Sequence, residues 1–309
     1  MNDYLALILG VVCAGLGGEV FLRGTVSVGR WMRVSPAVIG ATLAAFATSS
    51  PELAVGTRAA LAGVPEISLG DVLGSNVVNV ALILALVLCI SGIVTPRQSI
   101  RRDFPVALIV PIVIGLLSLD GRLSRWDGAL LLCGFIGWLI AAAVEAHRQR
   151  SSTEGNMPRH LLARALVLCA VGLALLILAG HLVVTGARGI ARSYGIGEFV
   201  IGATVVAVGT SMPELATALI AKLRGHGELG LGTLLGSNIF NGLLIVSVVA
   251  LICPIEVDWS KVAVALVFGL LTVVCTYPFG SGYIGRGRGV LLLALYGLYL
   301  AIVLQKPPV

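Results

Sequence analysis

The segment VIGATLAAFATSSPELA that begins at Val38 returns as VIGATVVAVGTSMPELA beginning at Val200. The offset is 200 − 38 = 162 residues. It also pairs Gly74-Ser75-Asn76 with Gly236-Ser237-Asn238, and Asn79 with Asn241. About half of the positions between 38 and 80 are identical to their counterparts. Chance does not produce such agreement, so the chain carries one unit written twice. Any fold must therefore place two copies of the same polar pattern in equivalent surroundings.

Those surroundings are lipid. Of the 309 residues, 58% are hydrophobic and 12% charged, against about a quarter charged in a soluble domain. Apolar runs of about 20 residues suit membrane helices. They fall near 4–28, 36–62, 68–92, 104–119, 126–146, 161–185, 198–222, 230–253, 260–278 and 289–305. The runs are continuous and do not alternate, which excludes a transmembrane barrel. The expected fold class is all-α: a polytopic membrane protein of ten transmembrane helices. Five spans lie in each copy, and an odd number reverses the second copy across the membrane. Two inverted five-helix repeats follow, residues 1–147 and 161–309, joined by a cytoplasmic linker at 148–160.

The formal charge of +6 reflects orientation rather than a nucleic-acid partner. With both termini outside, the cytoplasmic connections hold 14 of the 21 Lys and Arg: Arg23, Arg30, Arg33, Arg97, Arg101, Arg102, Arg148, Arg150, Arg159, Arg164, Lys222, Arg224, Arg286 and Arg288. The other face keeps 7, namely Arg58, Arg122, Arg125, Arg188, Arg192, Lys261 and Lys306. This bias follows the positive-inside rule and points to an inner (plasma) membrane protein with extracytoplasmic termini. The six cysteines lie far apart in apolar spans with no CxxC spacing, so packing is their expected role. The start MNDYLALILG has neither a basic n-region nor a clear cleavage site, and a removable signal peptide is not expected. Nothing in the sequence implies an oligomer.

The chemistry sits where the copies agree best. Thr48-Ser49-Ser50-Pro51-Glu52 and Thr210-Ser211-Met212-Pro213-Glu214 fall near the middle of spans 2 and 7. An acidic side chain at bilayer depth costs roughly 2.5 kcal/mol or more, so Glu52 and Glu214 read as functional. The alternative is a structural hydrogen-bonded pair sharing a proton. Pro51 and Pro213 each lack an N–H and displace the carbonyl four residues back, those of Ala47 and Gly209. Unpaired carbonyls in a membrane must meet protein, water or ions. Thr48, Ser49, Thr210 and Ser211 add hydroxyls at the same breaks. In spans 3 and 8, Ser75 and Asn79 share one helical face, as do Ser237 and Asn241. Asn76 and Asn238 point elsewhere, where packing or capping serves as well. Gly70, Gly74, Gly232 and Gly236 form small-xxx-small patterns for close helix packing.

This donor set is all oxygen, with two carboxylates and neither His nor Cys. It suits a hard cation such as Ca²⁺, which takes six to eight oxygens, and neutral oxygens would also hold Na⁺. Anionic substrates would require Lys or Arg at this depth, and there is none.

At these residues the chain resembles the calcium/cation antiporter superfamily, especially its prokaryotic sodium/calcium exchanger-like members. The resemblance covers nearly the whole chain and rests on the doubled GTSxPE-like and GSNxxN motifs. It implies one Ca²⁺ site with neighbouring Na⁺ sites between four helices, and alternating access with spans 1 and 6 sliding past a core. The implied ligands are Glu52 and Glu214, with Thr48, Ser49, Thr210, Ser211, Ser75, Asn79, Ser237 and Asn241, and the carbonyls of Ala45 and Ala207. No cofactor is implied; the partners are the transported Ca²⁺ and Na⁺ and the lipid bilayer. Two positions depart from the family pattern. Ala47 replaces the usual Gly, which stiffens that break. Asn241 stands where potassium-dependent relatives carry Asp, which speaks against potassium dependence.

Na⁺ would displace Ca²⁺ by taking overlapping oxygens, and that competition would couple the two fluxes. Protons on the two Glu would serve a H⁺/Ca²⁺ exchanger instead, although protons need no hydroxyl cage. A passive channel would pass ions without countertransport. An intramembrane protease lacks support, because no Ser lies with a His or Lys base and no paired Asp motif occurs within the spans. Other polar positions read as structural: Glu19 pairs with Arg23 one turn on, His181 is a core histidine, and Glu66 and Glu228 are surface charges. Asp71 and Thr233 are expected as helix caps.

Overall fold

The computed structural model describes residues 2–151, 159–194, 207–280 and 282–305. Helix occupies all ten expected spans, although 198–206 of the seventh lies outside the described residues, as does the repeat's second start at Val200. We number the helices α1 (Asp3–Met32), α2 (Pro36–Thr48), α3 (Ser50–Leu61), α4 (Pro65–Ile90), α5 (Phe104–Leu117) and α6 (Arg125–Ser151). The second half holds α7 (Arg159–Ser193), α8 (Ala207–Thr210), α9 (Met212–Leu223), α10 (Gly227–Ile252), α11 (Trp259–Thr276) and α12 (Arg286–Gln305). Six of these are single helices long and apolar enough to cross a membrane, and α2 with α3 forms a seventh, bent span. Residues 148–151 of the expected linker continue α6, and 152–158 lie outside the described residues.

Burial separates core from periphery. In their most apolar stretches α4 and α10 are 72% and 78% buried, whereas α6, α7 and α12 are about a fifth buried. The motif-bearing helices are therefore enclosed by protein, and the others present Leu, Ile and Val to lipid. Both core helices contain a π turn, at Val78–Leu84 and Phe240–Ile245, starting 240 − 78 = 162 residues apart. Such wide turns cluster at functional sites.

The broken spans are equally symmetric. α2 meets α3 at 45° through Ser49 (φ −88°, ψ 3°), and α8 meets α9 through Ser211 (φ −84°, ψ 15°). Pro51 and Pro213 lie in the first turns of α3 and α9, where no intrahelical N–H bond is required. The prolines thus start new helices. Ser50 Oγ donates to the Ala47 carbonyl at 2.7 Å, so the carbonyl freed by Pro51 is taken by a neighbouring hydroxyl.

Two short antiparallel ribbons tie the halves together crosswise. Strand β1 (Ile93–Val94) pairs with β4 (Tyr283–Ile284), and β2 (Arg122–Leu123) pairs with β3 (Ile255–Glu256). Exchanging the halves maps one ribbon onto the other.

Helices α1 and α7 form a close pair beside this core. A Cβ on Gly17 would sit 2.9 Å from Leu175 Cβ, and one on Gly24 would sit 2.6 Å from the Cys169 backbone nitrogen. Only glycine allows that approach. A separate anchor holds the first half's periphery. Asp103, fully buried, takes Arg102 at 2.7 and 3.1 Å and Trp138 Nε1 at 3.2 Å, fastening the residues before α5 to α6.

Candidate functional site

Glu52 and Glu214 stand in the first turns of α3 and α9, 3% and 1% exposed. Ser49, at the first break, donates to Glu214 Oε1 at 3.4 Å, and Ser237 on α10 donates to the same oxygen at 3.3 Å. Thr48 Oγ1 lies 3.4 Å from Ser237 Oγ. Residues from both copies therefore converge on one carboxylate. Thr48 also donates to the Ala45 carbonyl at 3.3 Å, which already accepts the Ser49 N–H at 2.9 Å. Ala207 is the first described residue of α8, and Thr210 at its end is half-buried beside the site.

The four asparagines form a reciprocal lattice between α4 and α10. Asn76 Nδ2 donates to the Asn238 carbonyl at 3.3 Å, and Asn238 Nδ2 to the Asn76 carbonyl at 3.1 Å. Asn79 Nδ2 donates to Asn238 Oδ1 at 3.0 Å, and Asn241 Nδ2 to Asn76 Oδ1 at 3.1 Å. Consequently Asn79 and Asn241, each inside a π turn, have both position and rotation fixed, with their amide oxygens left over. Ser75 is buried one turn before Asn79. Asn76 and Asn238 are thus neither helix caps nor general packing; they hold the partner copy's amide.

Five buried oxygens of the ligand residues expected from the sequence have no hydrogen-bond partner among the described residues: Glu52 Oε2, Glu214 Oε2, Asn79 Oδ1, Asn241 Oδ1 and Ser211 Oγ. A buried acceptor left alone costs roughly 1–3 kcal/mol, more if charged. Nature rarely gathers five without a ligand to satisfy them. All five are hard oxygen donors. Thr217 Oγ1, one turn beyond Glu214, is buried and unpartnered as well, a position the repeat does not reveal because Val55 occupies its counterpart.

A cavity of about 400 Å³ reaches Glu52 from the face carrying the turn between α3 and α4, lined among others by Ile67, Asp71, His181, Thr210 and Pro213. Against the second broken span, α1 lies on α9, where Ala14, Phe21, Met212 and Ala216 are buried together. The structure corrects the capping expectation for Asp71 and Thr233. Both lie well inside their helices, with Asp71 on the cavity wall and Thr233 donating to its own Leu229 carbonyl at 3.0 Å. The sequence offered Asp71 only as a cap, because its counterpart Thr233 is not acidic. His181 is likewise on the cavity wall.

Comparison with known proteins identifies the family. The family described as sodium/calcium exchanger protein matches the chain twice, over residues 3–144 and 164–305. The inner membrane protein YrbG of Escherichia coli K12 is 33% identical over 297 residues, covering 91% of this chain and 90% of its own. The sodium/calcium exchanger MaX1 of Methanosarcina acetivorans is 27% identical over 348 residues, with 97% and 98% covered. A solved structure of the sodium-calcium exchanger NCX_Mj, soaked with Na⁺ and Sr²⁺, aligns with a TM-score of 0.82 at 33% identity, covering 97% of this chain and 98% of that one. Two copies of one family unit, meeting at mirrored breaks around mirrored acids, make the assignment plain: the chain belongs to the sodium/calcium exchanger protein family.

Proposed function

We propose that the protein is a secondary active antiporter that exchanges Ca²⁺ for Na⁺ at the site between α2–α3, α4, α8–α9 and α10. The observation that carries this reading is the set of five unpartnered buried oxygens, two of them carboxylate. Ca²⁺ would bridge Glu52 and Glu214, whose two charges neutralise it, and draw on Asn79, Asn241, Ser75, Ser237 and the hydroxyls at the breaks. Na⁺ would occupy overlapping oxygens, including Thr48, Ser49, Thr210, Ser211 and the carbonyls of Ala45 and Ala207. Shared ligands and mutual repulsion keep both ions from filling the site together, and this exclusion couples the fluxes. An ion substrate requires no enzyme chemistry, and the relatives named above are exchangers and membrane proteins.

Residues 1–147 and 161–309 act as the two inverted halves, with 148–160 between them on the cytoplasmic side. Under the positive-inside bias the termini are extracytoplasmic, in an inner (plasma) membrane, and the cavity at Glu52 opens outward. Rocking of the close-packed α1–α7 pair over the core would close that cavity and open its mirror image beside Glu214.

The test is ⁴⁵Ca²⁺ uptake into proteoliposomes of purified protein, driven by a Na⁺ gradient at clamped pH. Uptake that follows the Na⁺ gradient and stops when it is dissipated supports the reading. Uptake that follows only an imposed pH gradient assigns the counter-ion to protons, and Ca²⁺ flux without any countertransport assigns a channel.

A further inference from the structure

A second cavity, about 530 Å³ and sharing no lining residue with the first, lies where α1 ends and α7 begins. Its walls are two helical stripes. Glu19, Leu22, Arg23, Val26, Ser27 and Arg30 recur every three or four residues on α1, and Leu161, Arg164, Ala165 and Leu168 do so on α7. Arg224 and His226, between α9 and α10, close the end. Four guanidinium groups therefore face one carboxylate. That carboxylate is fully engaged: Glu19 takes Arg23 on Oε1 and Arg224 on Oε2, both at 2.8 Å. Arg30 and Arg164 have no such acid in the cavity.

A cation path would not be lined this way, because the net positive charge repels Ca²⁺ and Na⁺ alike. The rest of the lining is apolar, formed by Leu22, Val26, Leu161, Ala165 and Leu168 between the charged residues of the same stripes. A ligand suited to both halves has an anionic, phosphate-bearing head and an apolar body, at the depth where bilayer headgroups lie. We propose that this groove binds the headgroup of an anionic phospholipid, its phosphate held by Arg30 and Arg164 and its glycerol backbone resting on the leucines. The same phosphate competes with Glu19 for Arg23 and Arg224. Because the Glu19–Arg224 pair joins α1 to the end of α9, an occupied groove loosens the peripheral pair from the core. Lipid composition would then set how readily α1 and α7 move.

The experiment is native mass spectrometry of the purified full chain, mixed with phosphatidylglycerol or phosphatidylcholine and, in a third arm, with inorganic phosphate alone. Wild type should retain phosphatidylglycerol over phosphatidylcholine. The double variant Arg30→Gln/Arg164→Gln should lose that preference by roughly 25-fold, at about fivefold per arginine. Inorganic phosphate at millimolar concentration should not displace the lipid, since it lacks the apolar body. Displacement by phosphate would overturn the lipid assignment in favour of a soluble anion. Arg97→Gln/Arg101→Gln, on the same face but outside the groove, is the control. An equal loss there, or no preference in wild type, would overturn the proposal by assigning the effect to general surface charge. Should the double variant fail to fold, Leu22→Trp in the apolar wall must reduce lipid retention with the arginines intact, and unchanged retention would overturn the site.

Discussion

Replacing either central carboxylate by its neutral isostere should move ion affinity and protein stability in opposite directions. Glu52→Gln and Glu214→Gln each keep the side-chain shape and one acceptor oxygen but remove one of the two charges that balance Ca²⁺. Removing one partner from a buried charge assembly costs about 3–5 kcal/mol. That corresponds to roughly 200- to 4,000-fold in an equilibrium constant. The retained amide oxygen places the expected loss toward the lower end, a few hundredfold in the Ca²⁺ concentration for half-maximal uptake. Without Ca²⁺ the sign reverses. Each Glu is at least 97% buried and has an Oε2 with no partner among the described residues. Taking that acid out of the membrane interior relieves roughly 2.5 kcal/mol, so the ion-free variants should melt no lower than wild type. Initial-rate ⁴⁵Ca²⁺ uptake over a Ca²⁺ series, with thermal unfolding in cation-free detergent solution, measures both. Variants that transport within threefold of wild type would show that the carboxylates are not the ligands. Variants that unfold earlier without ions would show that the acids are structural.

Asn76→Leu should remove two bonds between α4 and α10 and leave the Asn241 amide unpartnered, lowering stability by about 1–3 kcal/mol. It should also weaken Ca²⁺ binding without touching a carboxylate; unchanged melting and affinity would contradict the lattice described above. Gly24→Leu places a large side chain where a Cβ would already stand 2.6 Å from Cys169 backbone nitrogen, so α1 must separate from α7. Loss of folded protein in size-exclusion chromatography is expected, whereas Ser27→Leu on the same helix should be tolerated. Trp138→Phe strips the indole donor from buried Asp103 and should cost about 1.5–3 kcal/mol, read as an earlier thermal transition with Na⁺-driven uptake retained.

The sequence alone was sufficient for the duplication, the ten apolar segments and the two mirrored acids. These are local or periodic properties: a span is legible because lipid demands about 20 apolar residues, and an acid within one stands out by its cost. The breaks at Ser49 and Ser211 were legible too, because proline leaves few alternatives. Tertiary structure decided which polar groups face one another. Asn76 and Asn238 looked interchangeable with packing residues until α4 and α10 were seen side by side, each holding the other's amide. Asp71 is matched by the neutral Thr233 and Thr217 by the apolar Val55, so neither stood out in the repeat, yet one reaches the cavity and the other lies beside Glu214. The basic groove is made by stripes about 140 residues apart, from Leu22–Leu161 to Arg23–Arg164. Adjacency of that kind is set by how helices pack, through glycine seams and buried hydrogen bonds, and no single stretch of sequence contains it.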